Sequence, residues 1–252
     1  MDFTVVIPAH NEAANLEPYV AVFIESLPAD IAELVKEIII VENGSTDGTL
    51  DACHRLQHRF PELIKVCVNP RGSYGEAIKR GMLESRGTHV SILECDFLDP
   101  GFITASAGCF RSSRAQFIVG SKRHPQSTDR RPLKRRILTA LYNSIFLHLL
   151  IGYPGSDTHG LKSIEAPVAK KLCELAITSD EIFQTEIVLL AWRLGIRIEE
   201  VPVQILEMRN PTVTVLRRVP KVLNTVRALQ HSLVRFPKIS PQVPNPSHDS
   251  AF

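Results

Sequence analysis

The feature that most constrains the fold is a regular alternation, over residues 3–120, of short apolar runs and segments with helical spacing. Four of the runs are rich in β-branched residues: Phe3 to Ile7, Glu37 to Val41, Ile64 to Val68 and Thr88 to Leu93. Runs of this kind are typical of strands buried on both faces of a parallel sheet. Because helical segments separate them, the layer rules predict an α/β fold with a mostly parallel sheet and helices on both faces.

The predicted helices follow the apolar periodicity. They cover Ala13 to Ser26, a segment capped by Ser45 or Thr46, Gly75 to Ser85, Pro132 to Ile151 and Asp180 to Leu194. Phe117 to Gly120 and Ile196 to Leu206 are two further predicted strands. We expect one domain over residues 1–210, a basic amphipathic helix over 211–236, and a disordered proline-rich tail over 237–252.

Charge is distributed unevenly along the chain. The 252 residues carry a formal net charge of only +2, and 44% of them are hydrophobic, which excludes a disordered chain. Residues 1–121, however, hold 10 basic and 16 acidic residues, whereas residues 122–136 hold seven basic residues and one acid. Residues 208–248 hold seven more basic residues and no acid. Since local charge sets the local field, the basic segments are suited to anionic partners.

The five cysteines are scattered, at Cys53, Cys67, Cys95, Cys109 and Cys173. No pair has the spacing of a zinc or redox motif, so we expect reduced thiols and a cytoplasmic protein. The N-terminus lacks a basic stretch followed by an apolar one, and we therefore expect no signal peptide. The longest apolar run, Ile137 to Gly152, falls short of the roughly 20 residues that span a bilayer, and no transmembrane helix is expected.

Polar clusters follow the first four predicted strands. They are Pro8 to Glu12, Glu42 to Ser45, Asn69 to Gly75 and Glu94 to Asp96. In open α/β sheets, ligands bind beyond the carboxyl ends of the strands. The sequence therefore predicts a binding site that these four loops form together.

The motifs in these loops, taken in order, resemble those of family-2 glycosyltransferases of the GT-A fold. They read V-V-I-P-A-H-N-E-A-A-N-L, I-I-I-V-E-N-G-S-T-D-G-T, G-x-x-G-E-A-x-x-x-G and L-E-C-D-F-L-D-P. The later D-T-H-G-L-K and E-I-V-L-L-A-W-R-L-G-I-R-I-E-E-V-P-V stretches resemble the polyprenyl-phosphate mannosyl- and glucosyltransferase branch. The resemblance covers about residues 3–210. It implies inverting transfer of a hexose from a nucleotide-sugar to a lipid phosphate, with a divalent metal.

Glu94 and Asp96 are the candidate metal ligands, with Mg²⁺ or Mn²⁺ as the cofactor. Hard cations prefer oxygen ligands and keep positions for substrate phosphates and water. Asp96 is also assigned a catalytic role, since the metal would offset charge on the leaving diphosphate. The family usually has Asp-x-Asp here, and the polar residue two places later is replaced by Leu98. These departures are either tolerated variants or signs of altered or lost activity.

The resemblance assigns six residues to the nucleotide pocket: Pro8, His10, Glu12, Glu42, Asn43 and Gly75. Structural roles are open for some of them, because Pro8 could end the strand and Glu12 could cap the following helix. His10 packs against the base or faces solvent. Where the family usually has Asp-Asp-Gly-Ser, Asn43 replaces an acid by an amide, which would let the site recognise a different base edge or nucleotide.

Five cations are assigned to diphosphate or acceptor phosphate: Lys122, Arg123, Arg136, Lys162 and Arg209. Arg and Lys bind phosphates well, although a solvated loop is the alternative for most of the segment before residue 137. Asp157 is a second catalytic candidate, which orients the acceptor or acts as a base toward a hydroxyl acceptor. Its alternative role is that of a turn residue before Gly160.

The basic helix predicted over residues 212–236 either packs on the sheet or lies on anionic lipid, which would make the protein peripheral on the cytoplasmic membrane face. The basic segments lack interleaved aromatic residues, so no nucleic-acid partner is expected. Two alternatives to a lipid-phosphate acceptor stay open: transfer to a saccharide or small-molecule hydroxyl, and a non-catalytic module that binds nucleotide-sugars. The sequence leaves the oligomeric state open.

Overall fold

A computed structural model describes residues 1–129 and 151–205 of the chain. The strands are β1 (Phe3–Ala9), β2 (Val35–Glu42), β3 (Ile64–Val68), β4 (His89–Ile92), β5 (Phe117–Ser121), β6 (Thr128–Asp129), β7 (Lys162–Glu165), β8 (Ile198–Pro202) and β9 (Gln204–Ile205). The helices are α1 (Leu16–Ser26), α2 (Ala29–Ala32), α3 (Thr49–Arg59), α4 (Tyr74–Glu84), α5 (Pro100–Arg111), α6 (Ala166–Leu175) and α7 (Phe183–Arg193).

Seven of these strands form one sheet in the order β3-β2-β1-β4-β7-β5-β8. All neighbouring pairs run parallel except the two that involve β7, which is antiparallel to both β4 and β5. β6 and β9 form a separate short parallel pair. The predicted mostly parallel α/β sheet is confirmed.

Helices cover both faces of the sheet, as the continuous apolar strands predict. Side chains alternate along β1, so that Phe3, Val5 and Ile7 enter one core and Val6 enters the other. The first core includes residues of α1, α2, α3 and α5, and the second includes residues of α4, α6 and α7. Gly81 of α4 faces β1, where an added Cβ would lie 2.2 Å from Val6 Cγ1, so only glycine lets this helix approach the sheet.

Three local predictions need correction. The helix after β2 begins at Thr49 with Gly48 at the cap position, because Ser45 and Thr46 instead bond to the loop after β1. α1 begins at Leu16 rather than Ala13. Pro8 does not end β1, which continues to Ala9 and pairs Pro8 with Val41 of β2. The pairing of β1 with β4 ends at Val6. Because Pro8 lies beyond that pairing, its lack of an N–H group removes no hydrogen bond between β1 and β4.

Other predictions lie outside the described residues. These are the helix at Pro132 to Ile151, apart from its last residue, the basic helix at 211–236 and the tail at 237–252. The last predicted strand is divided into β8 and β9 at Val203. All five cysteines are free and buried, in keeping with their scattered spacing. Within residues 1–129 and 151–205, no helix has both the length and the apolar character required to cross a bilayer.

Candidate functional site

The loops after β1 and β2 are joined by hydrogen bonds at the carboxyl edge of the sheet. His10 Nδ1 lies 2.9 Å from the backbone oxygen of Asn43. Asn11 adopts φ of 54° and receives the Thr46 N–H on its Oδ1 at 2.9 Å, while its own N–H donates to Ser45 Oγ at 3.1 Å. The left-handed conformation suits asparagine and turns the loop toward β2. The contact of His10 with Asn43 joins two predicted nucleotide-site residues.

The beginnings of α1 and α3 are fixed to each other in the same way. The N–H of the buried Glu12 donates to Thr49 Oγ1 at 2.7 Å, and Asp47 Oδ2 accepts from Ala13 N at 3.2 Å. Asp47 Oδ1 also accepts from the N–H and hydroxyl of Thr49. The Thr49 hydroxyl is the main reason why the pKa of Asp47 lies below its ordinary value. Asp47 thus supports the start of α3 from the residue before the cap, and Gly48 occupies the cap position that the sequence analysis assigned to Ser45 or Thr46.

Glu42 is the last residue of β2 and Asn43 follows it, and both are buried. Glu42 Oε1 accepts the Ser45 N–H at 2.5 Å, which closes the turn around Gly44. Asn43 Oδ1 accepts from Asn69 Nδ2 at 2.8 Å, and Asn69 Nδ2 also lies 3.0 Å from the Ser73 backbone oxygen. The side-chain oxygen of Asn43 thus connects the loop after β2 to the loop after β3. Its NH₂ group is a donor where the family usually has an acid.

The first turn of α4 packs against protein backbone. An added Cβ on Gly75 would lie 2.5 Å from the Ser179 carbonyl carbon. The Ser179 backbone oxygen accepts the Glu76 N–H at 3.0 Å and also the Ser73 hydroxyl. A helix N-terminus can bind phosphate through its free N–H groups. In α4, however, the Glu76 N–H already donates to the Ser179 backbone oxygen. The nucleotide contact of Gly75 remains a prediction, while its packing on Ser179 is observed.

Glu186 of α7 holds the segment that carries Ser179. Its buried carboxylate accepts the Ile177 N–H at 3.0 Å on Oε1, and the Thr178 N–H at 2.8 Å and Thr178 hydroxyl at 2.5 Å on Oε2. Hydrogen bonds to a charged acceptor are stronger than neutral ones. Glu186 therefore fixes residues 177–179 against the start of α4.

Glu94 and Asp96 lie on a tight turn directly after β4. The Phe97 N–H donates to the Glu94 backbone oxygen at 2.9 Å, which closes this turn. Cys95 between them is buried in the first core, whereas Asp96 is exposed. Leu98 packs on the same core as Cys95, so the position where the family usually has a polar residue adds no ligand.

The Glu94 carboxylate is held by a polar network in which Gln184 and Lys162 are buried and Glu94 and Tyr74 are half-buried. We name these four residues the Glu94 network. Glu94 Oε1 accepts the Tyr74 hydroxyl and the Gln184 Nε2 at 2.9 Å, and the Gln184 NH₂ also contacts the Tyr74 oxygen. Lys162 Nζ donates to Gln184 Oε1 at 2.5 Å and to the Gly160 backbone oxygen at 2.8 Å. The network joins the starts of α4, α7 and β7 to the turn after β4.

Burial dominates the titration of the Glu94 network. It raises the pKa of Glu94, which the hydrogen bonds from Tyr74 and Gln184 oppose. It also lowers the pKa of Lys162 to about 7, against the attraction of Asp157 and Glu94. The sequence analysis assigned Lys162 to a phosphate, whereas the structure buries this side chain fully and uses its ammonium group internally.

The carboxylate oxygens at this turn are suitable ligands for a hard divalent cation such as Mg²⁺ or Mn²⁺. Two carboxylates, Glu94 and Asp96, follow one strand at the edge where ligands bind, and Mg²⁺ is usually held by one or two carboxylates plus substrate phosphates. In the described part of the chain, no cluster of three or more His, Cys, Asp or Glu side chains forms a closed cage. This arrangement fits a cation that shares its coordination with a diphosphate.

Asp157 lies beyond the carboxyl ends of β5 and β8. Its buried carboxylate accepts the Lys122 N–H at 3.3 Å and the His159 N–H at 2.9 Å, one on each oxygen. The preceding residue, Ser156, is fixed by Glu200 of β8, whose Oε1 accepts the Ser156 N–H at 2.6 Å. Asp157 therefore anchors the loop that begins with Lys122 and Arg123, and Arg123 itself is exposed.

The structure thus places six of the fourteen predicted site residues at one edge of the sheet, in two groups. His10, Glu12, Glu42 and Asn43 form the first group, and Glu94 with Asp96 the second. Arg136 and Arg209 lie outside the described residues. Sequence reasoning missed Tyr74, Gln184 and Glu186, although polar residues inside an apolar helix are a signal that would have pointed to the last two.

Comparisons with known proteins define the class of this protein. The model of glycosyl transferase family 2 matches residues 4–162, and the chain belongs to that family. Solved structures of glucosyl-3-phosphoglycerate synthase from Mycobacterium tuberculosis share the fold of this chain. The structure in complex with Mn²⁺, UDP and glucosyl-3-phosphoglycerate superposes with a TM-score of 0.64 at 20% sequence identity. The match covers 96% of this chain and 81% of the synthase chain.

Curated relatives are similar over most of this chain. A dolichyl-phosphate β-glucosyltransferase of Saccharomyces cerevisiae is 28% identical over 79% of the chain and 65% of its own length. Glycosyltransferase AglD of Haloferax volcanii is 26% identical over 81% of the chain and 33% of its own length. Dolichyl-phosphate β-glucosyltransferase ALG5A of Trichomonas vaginalis is 24% identical over 80% of the chain and 64% of its own length. The chain spans from about a third to just under two-thirds of these relatives.

Proposed function

We propose that this protein is an inverting glycosyltransferase that moves a hexose from a nucleotide-sugar to a polyprenyl phosphate, with Mg²⁺ or Mn²⁺ held by Glu94 and Asp96. The observation that carries the proposal is the turn after β4, which places two carboxylates at the ligand-binding edge of a family-2 sheet. Two of the relatives described above are named as dolichyl-phosphate glucosyltransferases, which supports the lipid-phosphate acceptor.

The proposed donor site lies between the loops after β1 and β2 and the turn after β4. Residues Pro8 to Glu12, Glu42 and Asn43 bind the nucleoside, and Asn43 presents a donor to the base. A cation at Glu94 and Asp96 would neutralise negative charge on the departing diphosphate. Lys122, Arg123 and Arg209 bind phosphate groups. Because the structures with UDP share only the fold, UDP-glucose is the first donor to test rather than an assigned one.

The proposed phosphate acceptor requires no base, and Asp157 then has a positioning role. A lipid phosphate is already ionised at neutral pH and attacks the anomeric carbon without a general base. Each Asp157 oxygen accepts one backbone N–H group, from Lys122 and from His159, so the carboxylate holds its own loop. In this proposal, Asp157 orients the acceptor by fixing the backbone of Lys122.

The membrane role follows from the acceptor. We propose that residues 212–236 lie on anionic lipid at the cytoplasmic face, where their unopposed basic side chains contact headgroups. In this assignment residues 1–210 form the catalytic domain. The partners are a nucleotide-sugar and a lipid phosphate, and not nucleic acid.

The test is transfer of radiolabelled glucose from UDP-glucose to a polyprenyl phosphate in vesicles that contain anionic lipid, with Mn²⁺ or Mg²⁺. We expect labelled lipid with the wild-type protein and a loss of at least about 100-fold in kcat with Asp96→Asn. GDP- and dTDP-sugars are assayed in parallel. Unchanged turnover in Asp96→Asn would rule out the metal assignment.

Two other results would replace the proposal. Transfer to a soluble saccharide or metabolite, with no labelled lipid and no sedimentation with vesicles, identifies a hydroxyl acceptor. Calorimetric binding of UDP without dependence on Mn²⁺, together with no donor hydrolysis, identifies a non-catalytic binding module.

A further inference from the structure

The Glu94 network holds one carboxylate oxygen and not the other. Both the Tyr74 hydroxyl and the Gln184 NH₂ contact Oε1 of Glu94. Among the described residues, none donates a hydrogen bond to Oε2 of the same carboxylate. An anchor on a single oxygen fixes the orientation of a carboxylate and keeps its second oxygen available for another ligand.

Lys162 fixes which end of the Gln184 amide faces Glu94. Lys162 Nζ carries at least two N–H groups whether or not it is charged, and one of them donates to the Gln184 amide oxygen at 2.5 Å. The NH₂ end then points to Glu94, where it donates at 2.9 Å. The reverse orientation would place the amide oxygen against the Glu94 carboxylate and leave Lys162 facing a second donor. Burial of Lys162 keeps water from replacing this contact.

The network also explains how glutamate can replace the shorter aspartate at this position. A longer side chain has one more rotatable bond, so an unheld Glu94 would sample more orientations than an aspartate would. Tyr74 is the first residue of α4 and Gln184 the second of α7, and both helices are packed in the second core. Two packed helices, α4 and α7, therefore supply the hydrogen-bond donors that fix the longer side chain of Glu94.

We propose that Tyr74 and Gln184 are positioning residues that hold Glu94 Oε1 and present Glu94 Oε2 to a divalent cation. The inference deepens the proposed function and rests on it. Hydrogen bonds to metal-binding carboxylates usually contribute 10- to 100-fold in metal affinity. Tyr74 and Gln184 would therefore set how tightly the metal binds, without touching the metal or the substrate.

The experiment measures the dissociation constant of Mn²⁺, from the signal of free Mn²⁺ in electron paramagnetic resonance, alone and with UDP. The variants are Tyr74→Phe, which removes only the hydroxyl, and Gln184→Met, which removes the amide at similar length. Two control variants remove the same groups elsewhere. Tyr19→Phe acts on α1, and Gln116→Met removes an amide that donates to the Glu165 carboxylate at 3.2 Å.

We expect each network variant to weaken Mn²⁺ binding about 10-fold and each control to leave it unchanged. Thermal unfolding without metal is measured for all four variants, because a purely structural role would lower the midpoint without changing Mn²⁺ affinity. If Tyr74→Phe does not fold, Gln184→Met decides the outcome.

The Asp96→Asn variant distinguishes a failure of the positioning role from a failure of the proposed metal site. Wild-type Mn²⁺ affinity in Tyr74→Phe and Gln184→Met, with weakened binding in Asp96→Asn, overturns the positioning role and leaves the proposed function intact. Equal binding by the wild type and Asp96→Asn overturns the metal site itself, and the positioning role with it.

Discussion

The two polar groups at the carboxyl edge of the sheet are held by different kinds of contact. The loops after β1 and β2 are joined by bonds between backbone and short side chains, several of them exposed, such as those of Asn11 with Ser45 and Thr46. The turn after β4 is held by the Glu94 network, in which Glu94 is bound by residues of α4, α7 and β7, two of them buried. The first region depends on contacts between neighbouring loops, and the second on the packing of two helices and a strand. Substitutions should therefore affect the second region more strongly.

The largest effect is expected for Glu186→Ala, which removes the acceptor that holds residues 177–179. Three donors lose a charged partner, and we expect the free energy of unfolding to fall by about 3 kcal/mol. Denaturation by urea measures this change. Glu174→Ala, which removes an exposed carboxylate of α6, is the control and should have little effect. Equal loss in both variants would show that Glu186 does not anchor the second region.

The next largest effect is a change in pH dependence for Lys162→Met. The folded protein lowers the pKa of Lys162 from 10.5 to about 7, so between these values the unfolded chain binds a proton that the folded protein has released. The free energy of unfolding of the wild type should therefore rise with pH, by about 2 kcal/mol more than that of Lys162→Met between pH 7 and pH 9. Below pH 7 the two curves should run parallel. Urea titrations across this range measure the difference, and parallel curves throughout would show that Lys162 stays charged when buried.

A smaller effect is expected for Asn69→Ala, which removes the contact between the loop after β3 and Asn43 of the first region. The variant removes the hydrogen bonds to Asn43 Oδ1 and to the Ser73 backbone oxygen, and should lose about 1 kcal/mol of stability. Gln57→Ala, on the partly exposed side of α3, serves as the matched amide control in chemical denaturation. If Asn69→Ala lowered the free energy of unfolding as much as Glu186→Ala, the two regions would not differ in how strongly they depend on single side chains.

The smallest effect is expected for Asp47→Asn, and it should depend on acid pH. Because folding lowers the pKa of Asp47 below 3.8, its stabilising contribution is present above that value and is lost as the pH falls through the folded pKa. The difference in thermal midpoint between wild type and variant should therefore shrink from pH 6 to pH 3. Asp51→Asn, at an exposed acid of α3, should show no such trend. A constant difference would mean that Asp47 acts through shape and not charge.

The same contrast separates what the sequence could predict from what it could not. Apolar runs and turn residues predicted β1 to β4 and the loops that follow them, because each signal lies within about ten residues. The position of β7, and the contacts of Gln184 with Tyr74 and Glu94, depend on residues about 100 positions apart, and no local pattern specifies them. Even the cap of α3 was predicted wrongly, since Ser45 and Thr46 are engaged by Asn11 from another loop.

The place of β7 in the sheet sets an order for folding. β7 lies between β4 and β5, although it follows both in the chain, so each of these strands keeps an unpaired edge until residues 162–165 have been synthesised. Exposed strand edges are templates for aggregation. A growing chain that has only reached β5 therefore exposes one edge of β4 and both edges of β5, because β7 and β8 are still to be synthesised. Edges that the finished sheet pairs are thus open to other chains during synthesis.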